Sequence, residues 1–306
     1  MSAPSHAGRD FRPVSIRDTR GHRAFVVVNT VFLLMICAVM LYPFLTVLAQ
    51  SFSSPGAIKA GQVNLFPVGF NVETYVAVSQ NKQFWQAYGN TVLYTVVGTT
   101  IAMVLTTMLA YVISKSHLRG RSFLIGVAVF TMFFNGGIIP NYVLISSIGL
   151  KNTMWAVILP AALSVFNLLV MKSFFENLPR ELEEAAQIDG LGWWGIFTRI
   201  TIPLSKAVLA TMILFYAVAY WNDWFSAFLY LDQRDLFPVT LYLRNLIAGA
   251  STAATESAAA AGTQKDAIDA NIQAVTMILT LVPILFVYPF VQRYFVSGVM
   301  LGSVKG

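Results

Sequence analysis

Six apolar runs, each about 20 residues or longer, constrain this chain more than any other feature. They fall at about residues 24–48, 84–113, 122–148, 153–174, 207–231 and 274–295. A helix rises 1.5 Å per residue, so about 20 residues cross about 30 Å of hydrocarbon. Strands of a membrane barrel would show about ten residues of alternating polarity, and these runs do not alternate. A helix also satisfies its own backbone hydrogen bonds where no water can. The expected fold class is therefore an all-α integral membrane protein with six transmembrane helices. Composition agrees: hydrophobic residues make up 57% and charged residues 11%, against about 25% charged in soluble domains.

The expected organisation is a polar tail over residues 1–23, carrying Arg9, Arg12, Arg17, Arg20 and Arg23, followed by a transmembrane domain over 24–306. The first run is too long for a signal-peptide core and has no small-residue cleavage site, so it reads as an uncleaved span. An even number of spans places both termini on one side. The sequence has 14 Lys and Arg on that side and 6 on the other, which makes the termini cytoplasmic by the positive-inside rule.

The net charge of +6 is scattered between apolar runs rather than gathered on a face, which excludes nucleic acid as a partner. The single cysteine, Cys37, allows no intrachain disulfide and reads as a packing residue inside the first run. His6, His22 and His117 stand in separate polar segments, with no metal-ligand spacing. No phosphate-loop motif, catalytic triad or metal set is present, so the chain is not expected to be an enzyme or to hold a cofactor.

The most informative polar stretch is the segment between the fourth and fifth runs, about residues 176–203. Pro179 suits the first turn of a helix, and Asn177 or a neighbour suits its cap. Glu181, Glu183 and Glu184 then lie where the helix dipole favours negative charge. Leu178, Leu182, Ala185 and Ala186 recur on one face. Gly190 is a natural stop. An acidic short helix fits a protein partner better than anionic lipid, whose interfacial helices are usually basic.

Glu184-Ala185-Ala186, then Gly190, then Ile200-Thr201-Ile202-Pro203 after nine residues, resembles the E-A-A-x-x-x-G-x9-I-x-[LI]-P loop of ABC importer permeases. The likeness extends to Tyr220-Trp221-Asn222-Asp223-Trp224 and to Pro289–Met300, which are similar to the carbohydrate-type branch that includes the maltose and glycerol-phosphate importers. With Phe134-Asn135-Gly136-Gly137 and Pro140, the pattern looks nearest to the subgroup handling complex oligosaccharides, including uronate-containing ones. The resemblance implies a type I ABC importer permease fold, with a cytoplasmic coupling helix between spans four and five. Glu184, Ala185, Ala186, Asp189, Gly190 and Pro203 would then form or support the contact with an ATPase.

Asp223 is the sole carboxylate inside a predicted span, and such a residue normally faces protein or water. Two readings of Tyr220, Trp221, Asn222, Asp223 and Trp224 stand: a cavity that contacts sugar, or an outer-leaflet aromatic anchor. Asn135-Gly136-Gly137 before Pro140 predicts a kink in the third span; Asn135 either satisfies a freed carbonyl or faces the pathway. Asn90 and Asn167 are expected to join neighbouring helices.

The resemblance implies a bacterial plasma (inner) membrane protein that imports a sugar or oligosaccharide. Its implied partners are a second permease subunit, two ATP-binding subunits carrying ATP-Mg, and a periplasmic or extracellular sugar-binding protein. The alternative, an ion-coupled secondary transporter, would want titratable groups in several spans, and only Asp223 is available.

Overall fold

The computed structural model describes residues 20–257 and 271–286. All regular structure among them is helical. The organising element is a single long helix that most of the others lean on.

The first helix, α1 (Arg20–Ser51), is apolar on every side and exposed along nearly its whole length within this chain, becoming buried only near Ala49 and Ser51. Its surface therefore has to be covered by lipid or by another subunit. Cys37 lies on that exposed surface rather than in a packed core, contrary to the packing role expected of it. Two short helices follow, α2 (Pro55–Lys59) and α3 (Glu73–Gln80).

The long helix is α4 (Lys82–Ser114), whose 33 residues reach about 50 Å at 1.5 Å per residue. Asn81 caps it by accepting the N–H groups of Gln83 and Phe84 at 2.9 and 3.2 Å. Its buried face runs Phe84, Ala87, Thr91, Tyr94, Gly98, Ala102, Thr106 and Ala110, a three-to-four residue recurrence. Small residues in that stripe admit close neighbours, as in other membrane helix pairs. At Gly98 an added Cβ would stand 2.7 Å from Cζ of Tyr220, so only glycine fits there.

The third run does not form one kinked span. It divides into α5 (Arg121–Phe133) and α6 (Ile138–Ser147), which meet at 112°. The break falls on Asn135-Gly136-Gly137, where Gly137 takes φ 88° and Asn135 Oδ1 accepts its N–H at 3.0 Å. The fourth run is also bent, by 46°, between α7 (Met154–Ile158), with its 3-10 extension Leu159–Ala161, and α8 (Val165–Glu176). Pro160 and the capping Ser164 frame that bend.

Next come α9 (Arg180–Ile188), α10 (Trp193–Ile196), a π-helical turn (Phe197–Thr201) and α11 (Ile202–Leu204). The chain then turns by 82° into α12 (Lys206–Asn222). The fifth run was expected to continue to residue 231. Instead the helix ends at Asn222, and α13 (Phe225–Tyr230) restarts after Asp223 and Trp224. A 3-10 turn (Arg234–Leu236), α14 (Val239–Ser257) and α15 (Asn271–Phe286) complete the described chain. The first four-fifths or so of the expected tail, the ending Pro289–Met300 and residues 258–270 lie outside the described residues, as do positions 287–295 of the sixth run.

Among the described residues two helices are thus long and apolar enough to cross a membrane unbroken, or up to five if each bent pair is one span. The irregular segments carry backbone groups that hydrocarbon cannot satisfy, and α4 answers them with side chains. Asn90 Nδ2 donates to the carbonyls of Asp235 and Phe237 at 2.7 and 3.2 Å. Tyr94 Oη donates to the Leu236 carbonyl at 2.8 Å, and the Val239 N–H donates to Thr91 Oγ1 at 2.7 Å. Farther along, Thr106 Oγ1 and Tyr216 Oη lie 2.6 Å apart, and Tyr216 Oη also accepts the Ser164 N–H at 3.0 Å. Asn90 therefore does tie neighbouring elements together, while Asn167 is buried within α8.

Candidate functional site

The two ends of α4 meet different elements. The Ser114 end meets α9 and α10; the Lys82 end meets α14.

At the first end, α9 starts at Pro179, which with ψ 121° is the flanking residue rather than the first helical one. No side chain caps it. Asn177 closes α8 instead, its Nδ2 donating to the Ser173 carbonyl at 2.7 Å. Glu181 and Glu183 occupy the first turn, as the dipole favours. The other end is a Schellman motif: the Leu191 N–H donates to the Ala186 carbonyl at 2.9 Å and the Gly190 N–H to the Gln187 carbonyl at 3.0 Å. Gly190 takes φ 83°, which an L side chain adopts only at a cost of about 1–2 kcal/mol.

The expected apolar face splits. Ala186 is buried at 4%, whereas Leu182 and Ala185 are exposed and Leu178 is half-buried. Ile188 is 86% exposed and Trp194 64%, with Glu184, Asp189 and Gly190 also exposed beside them. Pro203 stands apart from this tip, in α11 beyond the π-helical turn. A wider turn before it relieves the clash a proline ring makes with the preceding helical turn.

Ion pairs that the sequence reading did not foresee anchor α9. Glu183 pairs with Lys115, both side chains largely buried, and Lys115 Nζ also sits 4.2 Å from the centre of the Tyr111 ring. Tyr111 packs on Phe197, ring centres 4.9 Å apart, and its hydroxyl donates to the Trp193 carbonyl at 3.4 Å. Arg121 pairs with Glu176, which Lys172 also holds at 2.9 Å, and Arg121 Nε donates to the Ile113 carbonyl at 2.8 Å. His117 packs on Trp193, ring centres 5.1 Å apart and planes tilted by 33°. A cavity of about 480 Å³ lies among these groups. The segment joining α4 to α5, the end of α8, and α9 are therefore one braced unit with an exposed tip.

At the other end the structure distributes the Tyr220–Trp224 segment in three directions. Tyr220 is buried, its hydroxyl donating to the Ile158 carbonyl at 2.9 Å and its ring lying on Gly98. Trp221 is buried edge-on to Tyr88, and its Nε1 has no acceptor among the described residues. Asp223 Oδ1 accepts the Ser226 N–H at 3.0 Å and closes the open first turn of α13. Asn222 and Trp224 line a cavity of about 390 Å³ with Thr240 and Arg244. Asn135 lies on a separate cavity of about 340 Å³ with Asn141, Phe225 and Ser226. The six expected pathway residues do not form one cluster. No group of three or more potential metal ligands occurs among the described residues.

Known proteins match over nearly the whole chain. Residues 7–301 match the family model for the binding-protein-dependent transport system inner membrane component. Protein LplC of Bacillus subtilis is 39% identical, the match covering 95% of this chain and 98% of LplC. The polygalacturonan/rhamnogalacturonan transport system permease protein YtcP of the same organism is 38% identical, over 90% of this chain and 96% of YtcP. Among solved structures, a chain of a bacterial ABC transporter involved in the import of the acidic polysaccharide alginate is 31% identical with a TM-score of 0.82. That match covers 90% of this chain and 98% of the other.

Proposed function

The chain belongs to the family of binding-protein-dependent transport system inner membrane components, and from that membership we propose that it forms half of the pathway of an ATP-driven oligosaccharide importer. It is an ABC importer permease rather than an ion-coupled transporter or an enzyme. Asp223, the sole carboxylate within its predicted spans, is engaged as a helix cap, which leaves no titratable relay of the kind ion coupling needs. The carried class is a sugar or oligosaccharide, the class that the names of YtcP and the alginate transporter describe for those proteins.

In this reading the chain crosses the membrane six times with both termini in the cytoplasm, and α9 is a cytoplasmic coupling helix. The remaining pathway half is a second permease, a heterodimer partner. ATP and Mg²⁺ bind on two separate subunits, and a periplasmic or extracellular binding protein delivers the sugar. The bare flank of α1 is where lipid or the second permease would lie.

The observation that carries the proposal is the contrast within α9. Glu183 and Ala186 fasten it to this chain, while Glu184, Ala185, Ile188 and Gly190 project from it. A short helix so braced can move only with α4 and α8, so a push on its tip becomes rigid-body movement of the spans. The test is sugar uptake by cells in which Glu184→Lys or Gly190→Ala replaces the natural residue. Both variants should insert normally, measured by the amount of chain in the membrane, and both should lose uptake. Normal uptake would refute the docking role.

A further inference from the structure

Arg244, on α14, has no carboxylate partner among the described residues. Its guanidinium lies 4.4 Å from the centre of the Phe228 ring and 5.5 Å from that of Trp224. Among the described residues its hydrogen bond is to a neutral amide, Nη1 donating to Asn245 Oδ1 at 3.3 Å. Asp223, whose carbonyl accepts from Thr240 Oγ1 at 3.5 Å, turns its carboxylate to the Ser226 N–H. Lys115 with Glu183 and Lys151 with Asp232 show the paired alternative elsewhere among the described residues.

We propose that the cavity lined by Asn222, Trp224, Thr240, Leu243, Arg244 and Ile247 is a subsite for the carboxylate-bearing ring of an acidic oligosaccharide, with Arg244 as the residue that selects the acid. The proposal rests on the oligosaccharide-importer reading above. A guanidinium presents paired N–H donors that match a carboxylate in its own plane. The two aromatic faces hold it in orientation by cation–π attraction without neutralising it. Trp224, more than a third exposed, offers the remaining part of its face to the apolar side of a pyranose ring. Asn222 Nδ2 is engaged with the Val218 carbonyl at 2.9 Å, which leaves its Oδ1 to accept from a sugar hydroxyl. The cavity volume of about 390 Å³ suits one sugar ring within a longer chain, and lies in the about 300–1,000 Å³ range of small-molecule sites. The bent fifth run creates this site. Were α12 to continue straight through Asp223, Trp224 and Phe228 would not turn to meet α14.

The test uses the complete transporter in its native membrane and three labelled probes: trigalacturonate, its methyl ester, and a neutral galactotriose. The natural chain should carry trigalacturonate in preference to both neutral probes. Arg244→Gln should reduce trigalacturonate uptake about tenfold to a hundredfold, the loss expected for one charge-assisted hydrogen-bonding partner. Uptake of any neutral probe should stay within twofold, and Arg244→Lys should recover part of the acidic uptake. Equal loss of acidic and neutral uptake, or no loss at all, would overturn the role of Arg244. Preference of the natural chain for a neutral sugar would overturn the acidic subsite and leave the importer reading standing. If deleting the chain altered uptake of no saccharide, in a panel widened to neutral and acidic oligomers, the importer reading itself would fail. Loss of co-purification with the other subunits in Arg244→Gln would assign the cavity to subunit contact and overturn the proposal.

Discussion

The two ends of α4 are built on opposite plans. At the Ser114 end Glu183 and Glu176 are paired and turned inward, while Ile188 and Trp194 stand bare beside the exposed Glu184 and Asp189. At the Lys82 end backbone carbonyls are satisfied by Asn90 and Tyr94, and a guanidinium stands among aromatic rings without a described carboxylate. An exposed apolar tip on a rigid base suits a protein surface, which excludes water and matches shape. A cation that no described carboxylate pairs, beside exposed aromatic faces, suits a polar solute that arrives and leaves. Under the proposed function, energy would enter at one end and cargo would bind at the other, with α4 as the member that both ends share.

That shared member should be the most sensitive point. Gly98→Leu would drive a side chain into the Tyr220 ring, which its own hydrogen bond to Ile158 holds in place. A loss of about 3 kcal/mol or more is expected, at the upper end of overpacking penalties. Thermal unfolding of the purified chain in detergent checks it, and an unchanged midpoint would break the idea that α4 and α12 move together.

A smaller effect is expected from removing the brace under α9. Glu183→Ala leaves Lys115 without its carboxylate in a largely buried place, at a cost of about 1–3 kcal/mol, between the surface and fully buried limits. Exchanging the pair, Lys115→Glu with Glu183→Lys, should recover part of the lost thermal stability. No recovery would show that Lys115 and Glu183 act separately.

Gly190→Ala should cost about 1–2 kcal/mol, confined to the end of α9. Global unfolding should barely change while uptake is lost, so stability and transport part company at this residue. At the opposite end, Asp223→Asn keeps an acceptor for the Ser226 N–H and should be nearly neutral in stability, while Asp223→Ala removes a helix cap worth about 1 kcal/mol. If Asp223→Asn retained its fold but abolished uptake, the carboxylate would have a role beyond capping.

Much of this was legible in sequence, for reasons that differ by element. Run length and hydropathy sufficed for α1 and α4, because an unbroken apolar helix in lipid needs nothing else. Asn135-Gly136-Gly137 announced its break through residues that abandon the helix, although a kink was expected and a 112° reversal resulted. The end of α12 at Asn222 was hidden. The run stays apolar to residue 231, and hydropathy does not register a carboxylate that caps a new helix. Gly190 announced its own turn through backbone chirality, and the Schellman pair confirms it. Lys115 with Glu183, 68 residues apart, carries no sequence signature, since the pairing exists only after α4 and α9 meet. Arg244 was visible only as one more basic residue in an outside loop, until the bend at Asp223 brought Phe228 and Trp224 to it.

Accessibility to a membrane-impermeant maleimide tests the central claim most directly, that the two ends of α4 lie on opposite sides of the membrane. Cys37 is the single natural cysteine, so Cys37→Ala provides the background for Ile188→Cys and, separately, Asn245→Cys. The account predicts that position 188 is labelled in inverted vesicles and protected in spheroplasts, with the reverse at position 245. Labelling of both positions from the same side would contradict it.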